Sequence, residues 1–228
     1  MDKDILTPMA NSLFVTVVGT VMSLAVMSTG AYALSRKYFY GRKAIMKFIL
    51  ITMLFSGGLI PTFICLRTLG LINSLWACVL LPLVSPYYLI IMRSYFMGLP
   101  DSLEESARID GAKDFTILFR IFAPLCKANI AVVTLFYMVS KWNSWFDAML
   151  FLNKRGMFPL QLLLREILIL NNTDSMLAAS AVTQGDQIAV GETVKYATIV
   201  VATLPILCVY PFIQKYFVKG VMIGAIKG

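Results

Sequence analysis

The stretch Leu99-Pro100-Asp101-Ser102-Leu103-Glu104-Glu105-Ser106-Ala107-Arg108-Ile109-Asp110-Gly111-Ala112-Lys113-Asp114-Phe115-Thr116-Ile117-Leu118-Phe119-Arg120-Ile121-Phe122-Ala123-Pro124 is a polar, charge-mixed island between long apolar runs, and the rest of the chain is organised around it. Pro100 stops what precedes it, and Ser102 with Glu105 three residues on predicts a capping box that opens a short helix. Gly111 closes that helix. A second helix is expected to start at Asp114, to carry Phe115, Leu118, Phe119 and Phe122 on one side, and to end before Pro124. The expected element is a helix, a glycine turn and a helix, with Glu104 and Glu105 in the first turn and aromatics beyond. It is a rigid knob that another protein can grip.

The flanks are apolar enough for a membrane. Of 228 residues, 59% are hydrophobic and 14% charged, and the mean hydropathy is +0.78, a balance rare in soluble domains. Stretches 9–34, 44–66, 72–93, 128–152 and 193–213 each reach the roughly 20 helical residues that a hydrocarbon core needs, which predicts an all-α integral membrane protein with about five transmembrane helices. The chain 1–228 reads as one domain. Gly19, Ser23, Ala25, Ser28, Gly30 and Ala31 let the first span approach other helices closely, and Ser56-Gly57-Gly58 with Pro61 should interrupt the second. Leucines between Leu160 and Leu168 predict an interfacial or re-entrant helix near 159–170.

The fourth span contains Lys141, Asn143, Ser144 and Asp147, and charge inside a membrane needs a reason. Asn143 and Asp147 stand four apart, so on a continuous helix they share a face with Ser140 and Ser144 beside them. That stripe suits a water-filled route. Lys141 falls on another side, where it can meet a partner helix or backbone carbonyls. Trp142, Asn143, Trp145 and Asp147 are residue types that hold sugars, by aromatic faces and polar tips, and equally types found in an interfacial aromatic belt.

Lysine and arginine set the orientation. Arg36, Lys37, Arg42, Lys43 and Lys47 follow the first span; Arg93, Arg108, Lys113, Arg120 and Lys127 lie between the third and fourth; Lys215, Lys219 and Lys227 finish the chain. The alternate loops hold chiefly Arg67, Lys154, Arg155 and Arg165, so the positive-inside rule puts 99–124 and the C-terminus in the cytoplasm and the N-terminus outside. The net charge of +8 reflects this topology and contact with lipid headgroups, not nucleic-acid binding.

Catalysis is disfavoured. The chain has no histidine, which removes His-dependent triads and common zinc sites, and no Gly-x-x-x-x-Gly-Lys-[Ser/Thr] stretch that would bind ATP. Cys65, Cys78, Cys126 and Cys208 sit in or beside apolar runs without paired spacing and read as small hydrophobes. No cofactor or metal is expected.

Glu105-Ser106-Ala107, three residues, Gly111, nine residues, then Ile121-Phe122-Ala123-Pro124 resembles the EAA signature of permease subunits in binding-protein-dependent ABC importers. Ser106 departs from an alanine and Ala123 from a leucine. Ile109-Asp110-Gly111-Ala112 and Trp142-Asn143-Ser144-Trp145 resemble the carbohydrate branch, the maltose-type second permease. The resemblance implies a MetI-like fold with a cytoplasmic EAA coupling helix, in which Glu104, Glu105, Ala107, Asp110, Gly111, Ile121 and Pro124 face or position an ATPase. It implies a second permease, two ATP-binding subunits and an extracytoplasmic sugar-binding protein as partners in a bacterial cell membrane. Members resembling this chain begin with a further helix, which this chain is expected to lack. The alternative is a non-ABC channel or receptor-type membrane protein whose cytoplasmic loop binds a regulator.

Overall fold

Small and polar residues line the inner side of the first helix, α1 (Lys3–Ser35). Ser12, Thr16, Thr20, Ser23 and Ser28 are buried together with Val15, Met27 and Ala31, while Leu13, Val17, Val21 and Val26 face outward. Lipid rewards such an arrangement, because acyl chains accept the branched residues and small ones bring helices close. The computed structural model describes residues 3–178 together with 196, 199–200, 202–205 and 207–208. Most of the expected span 193–213 lies outside the described residues.

Against α1 pack α4 (Leu75–Leu80), α5 (Pro86–Met97), α9 (Lys127–Trp142) and α11 (Leu160–Ala178), while α2 (Arg42–Leu54) lies on α5, α10 (Phe146–Phe151) on α4 and α11, and α3 (Leu59–Thr68) follows α2. Among the described residues only Ile5–Ser35 is long and apolar enough to cross a membrane unaided; counting the bent pairs 42–68 and 114–142 as one each raises this to three. The stretch 44–66 is interrupted where Ser56-Gly57-Gly58 predicts it, and 72–93 and 128–152 are each divided between two helices. The second breaks at Phe55–Gly58, where Gly58 takes φ +85° and the two halves diverge by 115°. The fourth ends at Asn143 and resumes at Phe146.

The third breaks for a reason legible in its prolines. A helix would pair the Cys78 carbonyl with the N–H of residue 82 and the carbonyl of residue 82 with the N–H of residue 86, but both positions are proline and have no N–H. Side chains from α9 take over. The Lys141 ammonium, 5% exposed, donates to the Val79 carbonyl at 3.0 Å and reaches that of Cys78 at 3.5 Å, and the Tyr137 hydroxyl one turn earlier donates to the Pro82 carbonyl. Gly19 opens the way, since a β-carbon there would stand 3.0 Å from Lys141 Nζ. Backbone groups freed within a bilayer are thereby satisfied internally.

The central stretch forms α6 (Asp101–Ile109), a turn, and then α7 (Asp114–Thr116), a π-helical stretch Ile117–Phe122 and α8 (Ala123–Leu125) as one segment bent 87° from α9. Three details of the sequence reading change. Asp101 and Ser102 lie inside α6 and Pro100 precedes it without any side-chain cap, so the capping box does not form. The helical segment continues through Pro124, because the wider π turn before it relieves the proline's demand on the carbonyl one turn back. Leu118 and Phe122 are buried while Phe115 and Phe119 are exposed and stacked, so the four do not share a side. Several leucines of α11 pack into the bundle: Leu160 N–H donates to Ser12 Oγ at 2.8 Å, and Leu160 and Leu164 pack on Trp142.

Candidate functional site

One side of α6 is buried and the rest of it is exposed. Glu104 and Ala107, three apart, are each 7% exposed, whereas Glu105, Ile109 and Asp110 face outward. The two adjacent glutamates therefore differ in kind: Glu105 belongs to the outer surface with Ile109, Phe115 and Phe119, and Glu104 to an internal ion cluster. Glu104 Oε2 accepts from Arg36 Nη1 at 2.7 Å, and Oε1 accepts from Arg108 at 3.0 Å. Arg108 also reaches Asp114 at 2.5 Å and donates to the Tyr38 hydroxyl, so one guanidinium links the two sides of the glycine turn. Lys37 and Asp101 pair at 2.5 Å on the exposed rim.

The turn is a Schellman motif. Gly111 N–H donates to the Arg108 carbonyl at 3.0 Å and Ala112 N–H to that of Ala107 at 2.9 Å, with Gly111 at φ +79°. Asp110 is the exposed residue leading into it, and Ile121 and Pro124 lie on the following segment, Ile121 half-buried and Pro124 exposed.

Burial pushes the Glu104 carboxyl up, but hydrogen bonds from Arg36 and Arg108 outweigh it and hold the group below the usual carboxylate range. A depressed folded value stabilises above the unfolded value of about 4.3 and is lost as pH falls through the folded one. Thermal unfolding followed by tryptophan fluorescence should show the acid limb of stability flattened in Glu104→Gln, with a lower melting temperature at pH 7. Parallel pH curves for both proteins would remove this role from Glu104.

The residues proposed from the fourth span are separated. Trp142 is 4% exposed and its indole N–H donates to the Ala202 carbonyl at 3.0 Å, so its ring is packing. The Arg165 guanidinium lies 3.6 Å over the Trp145 ring and covers one of its faces. Asn143 is exposed and donates to the Val139 carbonyl at 2.9 Å. Because α9 ends at Asn143, it and Asp147 do not lie on one continuous helix, which corrects the four-residue stripe. Lys141 does reach carbonyls, those of the broken α4. Arg36 was visible only as one of five clustered cations; nothing local marks it as buried, because its partners lie 60 and 68 residues away.

The family described as "Binding-protein-dependent transport system inner membrane component" matches residues 27–223. The chain belongs to this family. It is 46% identical over 224 residues to the polygalacturonan/rhamnogalacturonan transport system permease protein YtcP of Bacillus subtilis (strain 168), covering 95% of this chain and 75% of the relative. It is 32% identical to the arabinooligosaccharides transport system permease protein AraQ of the same organism, covering 96% and 72%. A chain of the crystal structure of a bacterial ABC transporter involved in the import of the acidic polysaccharide alginate superposes with TM-score 0.84 at 38% identity, covering 95% of this chain and 76% of that one. The protein is a sugar ABC importer permease with the MetI-like fold, an inner membrane component of a transport system. These relatives give no support to the channel or receptor alternative.

Proposed function

We propose that this permease forms half of an oligosaccharide translocation pathway and that α6, with its glycine turn, is the cytoplasmic coupling helix gripped by a separate ATPase subunit. The observation that carries this is the division of α6 into an inner face, Glu104 and Ala107, tied to the membrane helices, and an outer face of Glu105, Ile109 and Asp110 left for a partner. Gly111, Ile121 and Pro124 set the angle between that face and the following segment. The partners are a second permease, two ATP-binding subunits, an extracytoplasmic sugar-binding protein and surrounding lipid. The N-terminus as given lies outside and the C-terminus inside, within a single domain 1–228.

Relatives named for polygalacturonan/rhamnogalacturonan and alginate support an acidic, uronate-bearing oligosaccharide as cargo. Asn143 and Asp147 flank the break after α9, and we place them with Trp142 and Trp145 along the route, the two tryptophans as its packed wall. The whole reading is tested by purifying the complex from its native membrane and measuring ATP-dependent uptake of labelled galacturonate oligomers against neutral ones. Cysteines introduced singly at Asp114 and Lys154 should react with impermeant reagent from the cytoplasmic and outer sides respectively. Absence of an ATPase from the complex, or labelling in the opposite sense, would overturn it.

A further inference from the structure

We propose that Arg36 is the positioning residue that joins α6 to the first helix, so that the ends of α1 and α5, α6 and the π-helical stretch move as one rigid lever. This rests on α6 being the ATPase-gripped element. A single guanidinium, 3% exposed, holds four parts of the chain. Its Nη1 meets Glu104 of α6 at 2.7 Å, its Nη2 meets the Phe96 carbonyl in the last turn of α5 at 2.8 Å, and its Nε meets Ser35 Oγ at 2.9 Å. Its Cζ lies 4.7 Å from the Phe122 ring centroid and 5.5 Å from that of Tyr32. Those rings interlock edge-on with each other and with Phe96. Arg93 adds a second tie from α5, donating to the Leu34 carbonyl at 2.9 Å.

A planar, permanently charged fork suits three donors in different directions; a lysine ammonium on a flexible stem does not reproduce it. Besides this joint, α6 meets the end of α1 through the exposed Lys37–Asp101 pair, Arg108 on the Tyr38 hydroxyl and the small Ala107 side chain in the core with Met27 and Tyr32; Arg36 alone is a buried ionic tie that also holds α5. Without the guanidinium, the remaining links to α1 are solvent-exposed or a single methyl group, and displacement of α6 would reach α1 less directly than α5 and α9. With the joint, α1, which packs on α4, α5, α9 and α11, is displaced directly.

The test uses the complete importer in proteoliposomes. Lys37→Cys and Asp101→Cys, at the exposed rim pair, are combined in a Cys65→Ser, Cys208→Ser background and closed with a short bifunctional thiol reagent. If α1 and α6 travel together, cross-linked complexes keep ATP-driven uptake; loss of uptake with ATP hydrolysis retained would show α6 swinging against α1 and overturn the proposal. In parallel, Arg36→Met should lower uptake per ATP hydrolysed about tenfold, within the usual range of coupling between sites, while the ATPase still co-purifies and Arg36→Lys recovers part of the loss. An unchanged ratio would overturn it too. Where Arg36→Met fails to insert, the cross-link alone decides. Uptake that is independent of ATP in the unmodified complex would instead sink the reading of α6 itself.

Discussion

Gly111→Val should reduce sugar uptake at least about tenfold, with Gly111→Ala intermediate and Gly111→Asn close to the parent protein. The order follows from backbone conformation alone. At φ +79°, a β-carbon on residue 111 would meet nothing within 4 Å, so crowding is not the cause of any loss. A residue other than glycine held there costs about 1–3 kcal/mol, greatest for a β-branched side chain and least for asparagine. Since about 1.4 kcal/mol is tenfold in an equilibrium, valine would empty the Schellman turn of most of its population. Opening it releases Ala107 and Arg108 from Ala112 and Gly111 and lets α6 rotate against α7, taking Arg108 away from Asp114. The face carrying Glu105 and Ile109 then no longer meets its partner in register. Uptake and ATPase co-purification measured on equal amounts of inserted protein check this. Equal losses for asparagine and valine would show that something other than φ governs the position.

The position of this element was legible because its signals are local. Gly111, the carboxylates before it and the apolar residues after it lie within a few turns of each other, and the spacing that resembles the EAA signature needs no long-range contact. The capping box failed because Pro100, as N-cap, starts the helix two residues earlier than Ser102 would, a choice between two local signals. Hydropathy located the apolar stretches but not their breaks. Ser56-Gly57-Gly58 announced one, whereas no glycine or proline marks the halt at Asn143. Arg36 was illegible in a stronger sense: a basic residue after a span reads as a positive-inside charge, and only the fold brings Phe96 and Glu104 around it. The same holds for Lys141, whose carbonyl partners could be guessed in type but not placed.

The largest stability effects should come from Lys141 and Tyr137, and the prolines opposite them supply the control. Lys141→Met keeps length and apolar bulk while removing the donor to the Val79 carbonyl; Tyr137→Phe removes only the hydroxyl on that of Pro82. A buried carbonyl left unpaired costs about 1–3 kcal/mol, and the ammonium's own desolvation offsets part of the loss for Lys141, so roughly 2 kcal/mol is expected for each substitution. At about 2–4 °C per kcal/mol for a chain of this size, each variant should melt about 4–8 °C lower in the same detergent. Pro86→Ala restores an N–H at the position that an unbroken helix would use for the Pro82 carbonyl. If Tyr137 serves that carbonyl, its replacement by phenylalanine should be much less damaging in the Pro86→Ala background than in the parent. Pro82→Ala should relieve Lys141→Met less, because it supplies the Cys78 carbonyl at 3.5 Å and leaves the closer Val79 carbonyl at 3.0 Å without its donor. Additive losses in the first cycle would mean that Tyr137 stabilises α9 by packing against Tyr88, its edge-on neighbour at 5.5 Å, and not by replacing the hydrogen bond that proline removes.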